Sequence, residues 1–133
     1  MSAFVSDTHT LVWYLANPKL LSPAAMSAFR NAALAGDRVI VPSISIVEVV
    51  YLVERFKLPQ STLERLTAGL ADPDSALMVF PLDQEVALTL SRVSRDVVPD
   101  MPDRIIAATA LHLNLPLVTR DAQIRASGIQ TIW

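Results

Sequence analysis

Five short runs, the first four largely apolar, punctuate this chain, and segments of helical pattern lie between them. The runs are Phe4-Val5-Ser6, Val39-Ile40-Val41, Leu77-Met78-Val79-Phe80, Leu115-Pro116-Leu117-Val118 and Gln130-Thr131-Ile132. Each reads as a strand. Strands separated by helices pair in parallel through right-handed crossovers. The expected fold class is therefore α/β, with a central parallel sheet of four to five strands flanked by helices.

The helical segments carry their own punctuation. Residues 8–16 place Leu11, Val12 and Leu15 on one face, and Asn17-Pro18 stops them. Ser22-Pro23 offers an N-cap and a first helical residue, starting a helix that Gly36-Asp37 ends. Further helices are expected near 43–56, 60–71, 82–96, 103–113 and 122–126. The loop from Val97 to Met101 is rich in proline and acid.

The chain has 133 residues, which suits one domain over 1–133. It is 52% hydrophobic and only 18% charged, enough apolar material for a large core and too little charge for disorder. No apolar run approaches the roughly 20 residues that span a bilayer. No signal peptide is evident at the N-terminus. The absence of cysteine excludes disulfides, thiolate zinc sites and a cysteine nucleophile, and fits a cytoplasmic setting. A net charge of −2 argues against a general nucleic-acid binder but not against an enzyme acting on nucleic acid. Acids that hold a cation make the bare chain look too negative.

Glu48 is the one charge in the apolar stretch from Ser43 to Val53, with no Lys or Arg within a helical turn. Burying an unpaired carboxylate costs about several kcal/mol or forces it to protonate. Its compensation must come from distant residues or from the rim of a cleft. Three other acids are placed to meet it. Asp7 follows the first strand, Asp121 follows the fourth, and Asp103 opens the helix that feeds the fourth. Open parallel sheets bind ligands beyond the carboxyl ends of their strands. Each aspartate also suits a plain helix N-cap, and Ser45-x-x-Glu48 matches a capping box. Pro42-Ser43 is the better helix start, however, and it moves Glu48 into the second turn, where capping fails. Oxygen-only acid clusters suit Mg²⁺ or Mn²⁺, ions that hold phosphate oxygens and activate water.

The segments Ser6-Asp7-Thr8-His9-Thr10, Ser43-x-x-x-x-Glu48, Pro102-Asp103-Arg104-Ile105-Ile106 and Leu117-Val118-Thr119-Arg120-Asp121 follow in order. Together they resemble the PIN-domain ribonucleases, most closely the VapC-type toxins of bacterial toxin–antitoxin pairs, over essentially the whole chain. The resemblance implies a single PIN-like domain and a Mg²⁺- or Mn²⁺-dependent endoribonuclease. It implies Asp7, Glu48, Asp103 and Asp121 as metal-binding acids. Thr119 matches the hydroxyl residue that accompanies the last aspartate, and His9 matches a common variant of the first motif. An antitoxin partner, an RNA substrate and a homodimer are implied as well.

Other residues have plainer explanations. Asp96 and Asp100 read as solvated loop acids, and Asp83 and Glu85 as first-turn acids. Arg104 and Arg120 adjoin proposed ligands and are candidates to reach phosphate. Trp13 and Tyr14 suit packing or base stacking. The apolar helix pair from Ser43 to Ala71 suggests an interface with a second copy or an antitoxin. The rival readings are a catalytically silent PIN-like binding module and a DNA-acting nuclease. A phospho-receiver module would need paired acids after the first strand and a lysine after the last, and the chain has neither.

Overall fold

The structure, a computed structural model, describes residues 2–133. Its strands are β1 (Phe4–Ser6), β2 (Val39–Pro42), β3 (Leu77–Phe80), β4 (Leu117–Val118) and β5 (Thr131–Ile132). They form one sheet, wholly parallel, in the order β3-β2-β1-β4-β5. The helices are α1 (Thr8–Ala16), α2 (Pro23–Ala35), α3 (Ser43–Glu54), α4 (Gln60–Ala71), α5 (Gln84–Thr89), α6 (Met101–Leu113) and α7 (Ala122–Arg125). No helix among the described residues is long and apolar enough to cross a membrane.

The central strands are largely apolar because both of their faces are covered. Side chains alternate across a strand. Phe4 packs with Leu11, Phe29 and Leu66 on one side, while Val5 packs with Ile106, Leu117 and Ile124 on the other. Val39 and Val41 join the first group, and Ile40 joins the second. The sheet therefore lies between α1–α4 and α5–α7. Phe4 meets Phe29 edge-on, with ring centroids 5.0 Å apart.

From β1 the chain runs outward through β2 to β3, then returns past β1 to β4. The carboxyl ends of β1 and β4 flank this reversal, the place where open sheets bind ligands. The register Ser6↔Val118 sets the two ends side by side.

Three of the differences from the expected boundaries have a visible reason. The helix expected over 82–96 ends as α5 at Thr89 and continues only as a 3₁₀ turn, Leu90–Arg92. Arg104 takes the carbonyl oxygens of Leu90 and Val93 at 3.0 and 2.9 Å, and Val93 N–H closes back on Leu90 O. β4 starts at Leu117 rather than Leu115, because Leu115 N–H bonds Ala110 O to close α6 and Pro116 has no N–H. α6 starts at Met101 rather than Asp103, with Asp100 as its N-cap.

Candidate active site

Asp7 sits at the join of β1 and α1 and is 6% exposed. Its Oδ1 accepts from Thr10 N–H at 2.9 Å, so the capping role and the site position coincide. Its Oδ2 accepts from the Thr119 hydroxyl. Thr119 is fully buried just beyond β4, and its oxygen also accepts Asp121 N–H at 3.0 Å. Asp121 in turn caps α7 through Ile124 N–H at 2.9 Å. One hydroxyl thus ties the ends of two neighbouring strands together at their acids.

Asp103 lies in the first turn of α6, half-buried, with its backbone N–H on Asp100 Oδ2 at 3.1 Å. Asp7, Asp103 and Asp121 line a single cleft of about 360 Å³ with His9, Trp13 and Arg120. Glu48 is not part of that lining and stands to the side, half-buried on the second turn of α3. Thr8 Oγ1 donates to Glu48 Oε1 at 2.5 Å and lies 2.9 Å from Ser45 Oγ. The single Thr8 proton points to the carboxylate, which leaves the Ser45 hydroxyl to donate to Thr8.

The electrostatics follow from this crowding. Burial pushes the Asp103 carboxyl up to about 7, and repulsion from Asp100, Asp121, Glu48 and Asp7 adds to it. Burial also raises Glu48; Asp100 and Asp7 push the same way, while the Thr8 hydroxyl and His9 pull it down. The sequence alone favours Glu48 as the first acid to bind a proton. In the structure burial raises both acids, but a hydroxyl donor opposes the shift at Glu48, and at Asp103 every neighbouring charge adds to it.

All four sequence-derived acids therefore approach the same sheet edge, three in the cleft and one beside it. Among the described residues, no three carboxylate or imidazole groups are grouped closely enough to hold one ion as the side chains stand. The four acids nonetheless offer only oxygen donors, and three of them share the cleft with a single arginine, a donor chemistry that suits a hard divalent cation.

The remaining candidates divide. Arg104 is not a phosphate ligand in waiting, since its guanidinium holds the loop carbonyls of Leu90 and Val93. Arg120 is exposed in the cleft, its guanidinium carbon 5.8 Å from the Trp13 ring centroid. His9 lines the cleft, whereas His112 packs near Phe80, 6.0 Å between centroids. Tyr14 stacks on Phe29 at 4.1 Å and belongs to packing. Asp100, read from sequence as a solvated loop acid, is exposed yet caps α6 and bears on both Asp103 and Glu48. The signal was there: Asp100 stands three residues before Asp103, with Pro102 between, a usual N-cap spacing. Thr8 and Ser45 were missed because nothing in the sequence pairs residues 37 apart. α3 leaves Val47 49% and Tyr51 61% exposed.

A family model described as "PIN domain" matches residues 4–128. Ribonuclease VapC22 of Mycobacterium tuberculosis is 32% identical over 128 residues, covering 95% of this chain and 92% of that protein. Two solved structures share the fold at lower identity. A complex of VapBC2 from Rickettsia felis with a fragment of promoter DNA superposes with TM-score 0.73 at 16% identity, covering 97% of this chain and 96% of that one. A toxin–antitoxin complex from Klebsiella pneumoniae gives 0.69 at 18%, covering 98% and 96%. The whole pattern, from the strand order to the full-length similarity, places this chain in the PIN-domain family, among its VapC-type members.

Proposed function

We propose that the protein is a ribonuclease that hydrolyses RNA phosphodiester bonds with Mg²⁺ or Mn²⁺, and that it is the toxin of a toxin–antitoxin pair. One observation carries this reading. Carboxylates from three separate elements face one cleft at the sheet's switch point, where burial, with repulsion from the neighbouring acids added, holds Asp103 up to about 7. The name of its 32% identical relative supports RNA as the substrate.

Asp7, Glu48, Asp103 and Asp121 would hold the cation. When bound, such an ion supplies a more acidic water and offsets phosphate charge. Asp7 is the anchor, its two oxygens fixed by Thr10 N–H and the Thr119 hydroxyl before any ligand arrives. Thr8 aims Glu48, and Ser45 supports Thr8. Arg120 offers a cation to the substrate phosphate from within the same cleft.

An antitoxin and a second copy of the chain are the proposed protein partners. The exposed Val47 and Tyr51 on α3 support a covered face, and the toxin–antitoxin complexes among structural neighbours support the kind of partner.

The test is cleavage of RNA by purified protein with Mg²⁺, with Mn²⁺ and with a chelator, beside Asp7→Asn. Cleavage should need the ion and be lost in Asp7→Asn. Equal cleavage by both proteins would remove this site, and cleavage of DNA alone would remove the substrate.

A further inference from the structure

Two clefts in this protein share a wall. His9 and Trp13, one turn apart on α1, line the acidic cleft and also line a second hollow of about 370 Å³. Half-buried Leu52 and Leu58 and exposed Arg55 and Lys57 complete most of its lining. This lining carries two cations and no carboxylate, whereas its neighbour has three carboxylates and the single cation Arg120.

The contrast matters for a polyanion. The acidic cleft repels every phosphate except one compensated by a cation. A strand that reaches it must be held by positive charge close by, and Arg55 and Lys57 supply that charge next door. The shared wall is aromatic. The Trp13 ring has Arg120 5.8 Å from its centroid and Trp133 at the same distance, and His9 lies 6.0 Å away. Bases stack on such a ring whatever their sequence, each adding about tenfold or more in affinity.

We propose that the hollow bounded by Trp13, Leu52, Leu58, Arg55 and Lys57 holds the single-stranded RNA flanking the scissile phosphate. A nucleobase packs on Trp13, and backbone phosphates meet Arg55 and Lys57. This rests on the ribonuclease reading above. It assigns the flank of the substrate to a surface distinct from the acids. The cations select RNA over an apolar peptide as the occupant, because a strand brings one negative charge per nucleotide.

The experiment uses full-length Asp7→Asn protein, so that RNA stays intact, and a labelled single-stranded decanucleotide read by fluorescence anisotropy across a salt series. Adding Arg55→Ala and Lys57→Ala should weaken binding about tenfold or more and lower the log–log salt slope by about 1.4, two phosphate contacts' worth. Trp13→Leu should weaken binding about tenfold with the slope retained. Both substituted cations are exposed, so the paired variant remains informative if Trp13→Leu fails to fold. Unchanged affinity and slope in the paired variant would overturn the proposal. So would unchanged RNA binding with loss of a protein partner, which would make the hollow a protein groove. If the Asp7→Asn parent binds no RNA and the unsubstituted protein cuts none, the ribonuclease reading itself has failed, and the flank site goes with it.

Discussion

The Thr119 hydroxyl donates to Asp7 Oδ2 across 112 residues of chain, and the same oxygen accepts the backbone N–H of Asp121. Replacing it with an isosteric methyl leaves a buried carboxylate oxygen and an N–H without their partner. Thr119→Val should therefore lower the unfolding free energy by about 1–3 kcal/mol, while Thr119→Ser keeps most of it. Thr10 supplies the control. Its buried hydroxyl has no partner among the described residues, so Thr10→Val should be neutral or stabilising. Urea denaturation of the three variants checks the contrast. A loss in Thr10→Val equal to that in Thr119→Val would deny it.

Thr8 acts on Glu48 rather than on the cleft itself. Without its hydroxyl the Glu48 carboxylate loses a donor that holds its proton affinity down and its oxygen in place. Thr8→Val should cost about 10–100-fold in metal affinity or cleavage, as outer-shell losses do, and Thr8→Ser should restore most of it. Isothermal titration with Mn²⁺ reads this directly. Equal affinity in both variants would leave Thr8 with packing alone.

The burial of Asp103 among other acids has a sign that stability can report. Its folded pKa, about 7, stands above the ordinary 3.8. Between those values the folded state binds more protons than the unfolded state, so this group's contribution falls as pH rises and levels off above about 7. In metal-free protein, Asp103→Asn should stabilise by about 1–2 kcal/mol at pH 8, a range reduced for solvent screening of a half-buried group. The gain should vanish near pH 4. Mn²⁺ at a hundredfold excess over its Kd should add about 2.7 kcal/mol to the unsubstituted protein at pH 8, and little at pH 5, where Asp103 is protonated. Thermal unfolding with and without chelator measures both. A stability that rises from pH 5 to 8 at this residue would contradict the raised Asp103 carboxyl.

The end of α3 makes a prediction unrelated to catalysis. Phe56 has φ +58° and is 95% exposed. Phe56 N–H bonds Val53 O at 3.1 Å and Lys57 N–H bonds Leu52 O at 2.8 Å, a Schellman closure with phenylalanine where glycine is usual. The left-handed conformation costs a side chain about 1–2 kcal/mol, and glycine's own chain entropy offsets part of any relief. Phe56→Gly should raise stability by about 0.5–1 kcal/mol, read as a higher denaturant midpoint. A lower midpoint would mean that the exposed ring is held by something outside the monomer.

Much of this could be read from the sequence, and the failures share a cause. The strand positions and the sites of Asp7, Glu48 and Asp121 were legible because they follow local apolar runs and turn residues. Pro42-Ser43 correctly started α3 and put Glu48 in its second turn. What stayed hidden depended on partners far along the chain. Arg104 shortens α5 by capturing carbonyls 11 and 14 residues back, and that contact also removes it from the cleft. Thr8 finds Glu48 40 residues on. Asp100 is exposed, as its place in the loop predicts, yet its charge still reaches Asp103. Local pattern gives the element and the face. It does not give the second ligand of a hydrogen bond.

The strand order β3-β2-β1-β4-β5 has one more consequence. Asp7 and Glu48 lie before the exposed turn at Asp72–Asp74, and Asp103 and Asp121 lie after it. The later half of the chain supplies β3 at one flank of β2 and β4 at the other flank of β1, so it embraces the earlier half from both edges. Cutting the chain at that turn would leave two pieces, each with two of the four acids. The site is thus a property of their reunion, and neither fragment carries a weakened version of it.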